Sequence, residues 1–187
     1  MAETRSPVSM TESEFATLRQ TIATRGTVRI VLLPVTFLGW SMLVTVWLLY
    51  GDLPIAALLS LAVLVGGFEA IHALHAGVER IGRYVQVYYE GGSEGPQWET
   101  TAMAVGPSLP GGGIDPLFTV VFLCATLVNV TAVLVPQPTA LELGVILALH
   151  ALFVVRIVRA RLAAARQRAV ELESFRAIQS REAYPKT

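Results

Sequence analysis

The chain has one cysteine, Cys124, among 187 residues, so no internal disulfide can form and no oxidising compartment is implied. Cys124 lies inside an apolar run and reads as a small core residue. No serine-hydrolase elbow, His-Glu-x-x-His pair or cysteine pair occurs, nor any carboxylate pair in a plausible pocket, which leaves the common hydrolytic chemistries without a signal. No Gly-x-Gly-x-x-Gly or Gly-Lys-Ser spacing follows a strand-like segment, so phosphate cradling by a glycine loop is not supported. The N-terminus lacks the basic stretch, short apolar run and small-residue cleavage site of a signal peptide, and the first helix is expected to stay. The most informative scarcity is charge. Residues 30–50, 53–68, 116–135 and 143–155 contain no charged side chain at all.

What remains is apolar. The composition is 53% hydrophobic and 15% charged, too greasy for a soluble domain of this length. A hydrocarbon core about 30 Å thick needs roughly 20 residues of helix at about 1.5 Å each. The first and third runs meet that alone, and the other two reach it with their polar ends. The predicted fold is all-α: an integral membrane four-helix bundle built of two helical hairpins, with helices two and four extended into the cytoplasm. The expected parts are a disordered tail and short amphipathic helix (1–26), a first hairpin with its extension (27–90), a Gly/Pro-rich cytoplasmic loop (91–115), a second hairpin with a basic C-terminal helix (116–180), and a tail (181–187).

Arginine placement gives the orientation, because Lys and Arg near helix ends are retained in the cytoplasm. Arg19, Arg25 and Arg29 precede helix one, Arg80 and Arg83 follow helix two, and Arg156, Arg159, Arg161, Arg166 and Arg168 follow helix four. The opposite loops, Gly51-Asp52 and Pro136-Gln137-Pro138-Thr139, carry neither Lys nor Arg and are short enough to force antiparallel neighbours. Both termini are therefore expected in the cytoplasm, and a prokaryotic inner membrane is the expected location. Trp47 and Tyr50 suit the outer interfacial belt, whereas Trp40 lies deeper and is expected to pack between helices. The arginine cluster of the last helix fits anionic lipid headgroups, and no nucleic-acid partner is expected.

Thr11-Glu12-Ser13-Glu14 has capping-box spacing, with Met10 and Phe15 at the staple positions, so a short helix is expected to start there. Phe15, Leu18 and Ile22 share one face, fit either to lie on the membrane or to dock on the protein's own cytoplasmic loop. Val78, Ile81, Val85 and Tyr88 continue helix two at helical spacing, as Val158, Leu162, Ala165, Ala169 and Leu172 continue helix four. Those extensions could pair as a stalk or meet a partner. In the 91–115 loop, Gly91-Gly92-Ser93 and Gly111-Gly112-Gly113 bracket Trp98 and Met103, and Asp115-Pro116 starts the next helix as N-cap and first turn. Trp98, Tyr88 and Tyr89 are candidate partner contacts.

Leu74-His75-Ala76 followed by Arg80-Ile81-Gly82-Arg83 resembles Leu149-His150-Ala151 followed by Arg156-Ile157-Val158-Arg159, as a duplicated hairpin would. Corresponding hairpins put His75 and His150 at similar depth, the arrangement that ligates a b-type haem from both sides. The competing reading gives each histidine a neighbouring hydroxyl, carbonyl or carboxylate. Glu69 must be paired, protonated or facing water, with His72 or His150 as its expected partner. Asn129 can tie helices together or line a polar path, with Ser41 and Thr45 as possible partners. Glu69, His72 and Asn129 form the candidate polar cluster, and no metal site is expected because a second Glu-x-x-His is missing.

Three functions follow. The first is a non-catalytic accessory subunit that scaffolds, anchors or regulates a larger membrane assembly through its cytoplasmic helices and loop; the partners expected for the chain, whichever function holds, are the lipid bilayer and either other membrane subunits or a homo-oligomer. The second is a haem-binding electron-transfer subunit using His75 and His150. The third is a small oligomeric channel or transporter using Glu69, His72 and Asn129.

Overall fold

The computed structural model describes residues 7–50, 53–91, 97–105 and 116–183. The Gly51-Asp52 turn, the glycine runs 92–93 and 111–113, the Asp115 cap and the tails 1–6 and 184–187 lie outside them. Five α-helices carry the chain: α1 (Pro7–Tyr50), α2 (Ala57–Val85), α3 (Trp98–Val105), α4 (Pro116–Ala132) and α5 (Ala140–Ala183). A single 3₁₀ turn, Pro54–Ala56, leads into α2, which ends in a π-turn at Gln86–Glu90. No strand occurs among the described residues.

Three helical segments are long and apolar enough to cross a membrane: Glu12–Tyr50, Pro54–Glu90 and Ala140–Ala164. A shorter apolar segment, Phe118–Ala132, falls in α4. The all-helical class therefore holds among the described residues, and three apolar helices, against the four spans expected, are consistent with a membrane protein. The expected short N-terminal helix and the first span are instead one helix, 44 residues long with Pro34 inside it.

The chain divides into two compact units. The apolar unit comprises Ile30–Ala73 and Ile114–Ala165, and the polar unit Met1–Arg29, Leu74–Gly113 and Arg166–Thr187. Phe68 centres the apolar unit, stacked on Phe118 at 5.5 Å and edge-on to Phe122 and Phe153 at 5.4 and 5.7 Å. Around it pack Leu61, Leu64, Ile71, Ala125 and Ile157. Gly67 lets α1 and α2 meet: a Cβ there would lie 2.8 Å from Thr36 Cβ and closer still to its γ atoms. A second cluster gathers Val44, Trp47, Ala57, Val133 and Ile146. Trp47 is buried within the protein, and its indole N–H donates to Leu53 O at 2.9 Å across the α1–α2 turn. Tyr50 is exposed. Cys124, read as a core residue, is exposed on α4.

In the polar unit the N-terminal part of α1 docks on its own chain. Phe15 rests on Tyr89 at 5.3 Å, Tyr84 Oη donates to Glu14 at 3.1 Å, and Arg19 pairs with Glu99 at 3.3 Å. α3 is a helix inside the segment read as a loop. Glu90 fastens its start: one carboxylate oxygen accepts the Glu99 N–H at 2.8 Å, and the other accepts the Thr100 N–H and hydroxyl, each at 2.7 Å. This satisfies backbone donors that a helix N-terminus leaves unpaired.

Candidate functional site

The densest polar arrangement in the apolar unit is built around Asn129, which is fully buried on α4. His150 Nδ1–H donates to Ile146 O at 2.7 Å, which leaves Nε2 as an acceptor and the ring neutral. Asn129 Nδ2 donates to that Nε2 at 2.8 Å and to Ala57 O at 3.2 Å. Its Oδ1 accepts from Ser60 Oγ at 2.6 Å and from Trp40 Nε1 at 3.3 Å. Both donors and both acceptor positions of the amide are thus used, on residues of α1, α2 and α5. Trp40 packs between helices as expected, whereas the partners of Asn129 are Ser60, Trp40 and His150 in place of Ser41 and Thr45. Ser41 instead bonds Leu38 O of its own helix at 3.0 Å.

The hydrogen bond of Glu69 goes to Arg156, and of the two expected histidines His72 is within its electrostatic reach. Arg156 Nη2 donates to Glu69 Oε2 at 2.7 Å, and the same guanidinium lies 5.7 Å from the Phe68 ring centroid. His72 stacks on Phe68 at 5.8 Å. Glu69 and His72 therefore share one neighbourhood, with His72 on Phe68 in electrostatic reach of both Glu69 and Arg156, whereas Asn129 bonds His150.

The two histidines of the repeated motif are not equivalent. His75 belongs to the polar unit, where Arg29 Nη1 donates to its Nδ1 at 2.8 Å, while His150 belongs to the apolar unit. Among the described residues no three His, Cys, Asp or Glu side chains converge as a metal ligand set.

The polar unit is joined by charge where sequence periodicity suggested an apolar seam. Arg83 of α2, 5% exposed in its side chain, bonds Glu171 of α5 through Nη1 and Glu79 through Nη2 at 3.1 Å. Glu171 also accepts from Arg80 at 3.1 Å and Gln167 at 2.8 Å, and Arg168 reaches Glu79 at 3.4 Å. Burial would raise the Glu171 carboxyl, but the bonds from Gln167, Arg80 and Arg83 outweigh it and hold the group below the usual carboxylate range. Glu99 moves the other way: burial, with the carboxylates of Glu90 and Glu79 behind it, pushes it up against the pull of Arg19. Val158 and Leu162, assigned to the seam by spacing, are exposed.

Of the five arginines read as headgroup ligands, Arg156 and Arg168 have carboxylate partners, and Arg159, Arg161 and Arg166 are exposed. Tyr88 stacks on Tyr84 at 4.6 Å, and Tyr84 also meets Tyr89 at 6.1 Å and Phe175 at 5.8 Å. Trp98 stands apart, 65% exposed on α3.

No protein-family model, curated protein or solved structure matches this chain.

Proposed function

We propose that this chain is a non-catalytic integral membrane subunit, a four-helix bundle with both termini in the cytoplasm, that scaffolds, anchors or regulates a larger assembly through its polar unit. The observation that carries the reading is Trp98. An indole left 65% exposed on a helix whose first turn is fastened by Glu90 is a preformed anchor of the kind that dominates protein interfaces. Val170 and Ile178, exposed on α5 at 62% and 45%, add apolar surface in the same unit.

For the fourth span, α4 supplies 17 residues, about 25 Å of helix. It then continues through Val133, Leu134 and Val135 as i-to-i+3 bonded turns, which adds about 6 Å and brings it to the thickness of the hydrocarbon core. The orientation rests on the arginines that flank the charge-free runs on one side only.

The test is native mass spectrometry of the complex extracted in mild detergent, with a photo-crosslinker at position 98. A second polypeptide crosslinked there supports the reading and identifies the partner. A bare homo-oligomer overturns it, and a haem mass in the same spectrum moves the assignment to electron transfer through His75 and His150.

A further inference from the structure

Five arginines among the described residues are buried or half-buried: Arg25, Arg29, Arg83, Arg156 and Arg168. The last three each touch a carboxylate, Arg83 on Glu79 and Glu171, Arg156 on Glu69, and Arg168 on Glu79. Among the described residues, Arg25 and Arg29 pair with no carboxylate. Both lie on α1 within the polar unit, four residues apart and hence on the same helix face, immediately before the charge-free run 30–50. Arg29 spends one N–H on the unprotonated Nδ1 of His75, a neutral partner that leaves its charge uncompensated. The Arg25 guanidinium fills the space over Gly77 that any Cβ would take. Two like charges one helical turn apart at partial burial are unfavourable unless an anion joins them.

We propose that Arg25 and Arg29 form a binding site for a phosphate group at the edge of the membrane-spanning segment, with Gly77 admitting the Arg25 fork. Guanidinium presents paired N–H donors that match tetrahedral phosphate oxygens. The end of a charge-free helical run is where anionic lipid headgroups are found. A phospholipid headgroup and a soluble phosphate ester share this chemistry. The inference rests on the membrane-spanning reading but not on the partner at Trp98, so failure of either leaves the other standing.

The experiment uses the full chain in nanodiscs of mixed phosphatidylcholine and phosphatidylglycerol. Native mass spectrometry reads the lipid that stays bound, and thermal unfolding is measured with and without inorganic phosphate. Retained phosphatidylglycerol should fall about tenfold or more for each arginine lost, the loss of one charge-assisted bond. Arg25→Gln and Arg29→Gln should show this fall, and Gly77→Leu should reproduce it by displacing Arg25. The exposed pair Arg176→Gln/Arg181→Gln should bind as the wild type does. Selective phosphatidylglycerol retention lost in the first three variants assigns the site to a lipid. Stabilisation by inorganic phosphate that is lost in the same variants, without lipid selectivity, assigns it to a soluble phosphate. Retention and phosphate response equal across all variants overturn the proposal. Arg25→Lys/Arg29→Lys guards against simple misfolding, because it keeps both charges and should weaken binding while leaving the phosphate-free melting temperature unchanged.

Discussion

Asn129→Leu replaces a buried amide with an apolar side chain of similar size, and its cost can be worked from the hydrogen bonds it removes. Ser60 loses its bond to Oδ1 but already lies 2.8 Å from Ala57 O. Its hydroxyl can turn to that carbonyl, so neither group is orphaned. Two groups remain without partners, the Trp40 indole N–H and His150 Nε2. The Trp40 bond, at 3.3 Å, is longer than the usual N–H···O distance and counts for less. An unsatisfied buried group costs about 1–3 kcal/mol in water-soluble proteins, but side-chain bonds between membrane helices average only about 0.6 kcal/mol. Allowing about 1.5 kcal/mol for His150 and about 0.5 for Trp40 gives roughly 2 kcal/mol.

The decisive assay is a double-mutant cycle of Asn129→Leu and His150→Leu, read by equilibrium unfolding in detergent micelles or bicelles. His150→Leu alone orphans one Asn129 N–H and also frees Ile146 O, which retains its helical bond. Removing both partners leaves little of the penalty from that bond, so the double variant should be more stable than the two single losses imply, with a coupling near 1 kcal/mol. Additive losses, with coupling under about 0.3 kcal/mol, would refute the assignment of this amide as the tie between α4 and α5.

Gly67→Ala should destabilise the apolar unit by about 1–3 kcal/mol through overpacking against Thr36; Thr36→Ala in the same chain should return part of the loss, and a neutral Gly67→Ala in thermal unfolding would contradict the close α1–α2 approach. Glu171→Gln should cost about 3 kcal/mol, because it leaves Arg83 buried beside only Glu79. Since the folded-state carboxyl of Glu171 is depressed, its contribution is present above the ordinary carboxylate range and is lost as pH falls through the folded value. The acid limb of the wild-type stability curve should therefore flatten in Glu171→Gln, and an unchanged limb would count against the network. Cys124 is exposed on an apolar helix; a charged, membrane-impermeant maleimide should leave it unlabelled in intact membranes and react after denaturation, whereas rapid labelling in intact membranes would place that face of α4 in water.

The helical class and the spans were legible because they depend on summed composition, and no single contact can reverse a charge-free run of 20 residues. The Asn129 hub was half legible. Its side chain had to find partners, but which helices supplied them depends on rotational setting, which hydropathy does not encode. Spacing assigned Leu162 to a seam and it is exposed, while Val85 is buried and ion pairs join α2 to α5 in the polar unit; helical spacing names a face but not what that face meets. A second signal was present and passed unread: Thr139 and Glu142 form a capping box at the start of α5, with the Glu142 carboxylate accepting the Thr139 N–H at 2.9 Å. Glu90 gave no comparable clue. Its role in holding α3 rests on bonds to residues nine and ten positions further along, which the glycines at 91 and 92 do not specify.

The distribution of bonded groups bears on which functional reading deserves the first experiment. A conducting path through Asn129 would have to exchange four hydrogen bonds for water or solute, and haem ligation through His150 Nε2 would have to displace the amide that fills it. His75 likewise holds Arg29 at the nitrogen facing it. Each of those readings needs the fold to give up a tie between helices before any chemistry begins, at a cost of about 1 kcal/mol or more per bond broken. Docking at Trp98 needs no such exchange, because its indole is already exposed and its helix already fastened by Glu90. Binding there orders little that is not ordered beforehand, and this preorganisation favours the accessory-subunit reading over the other two.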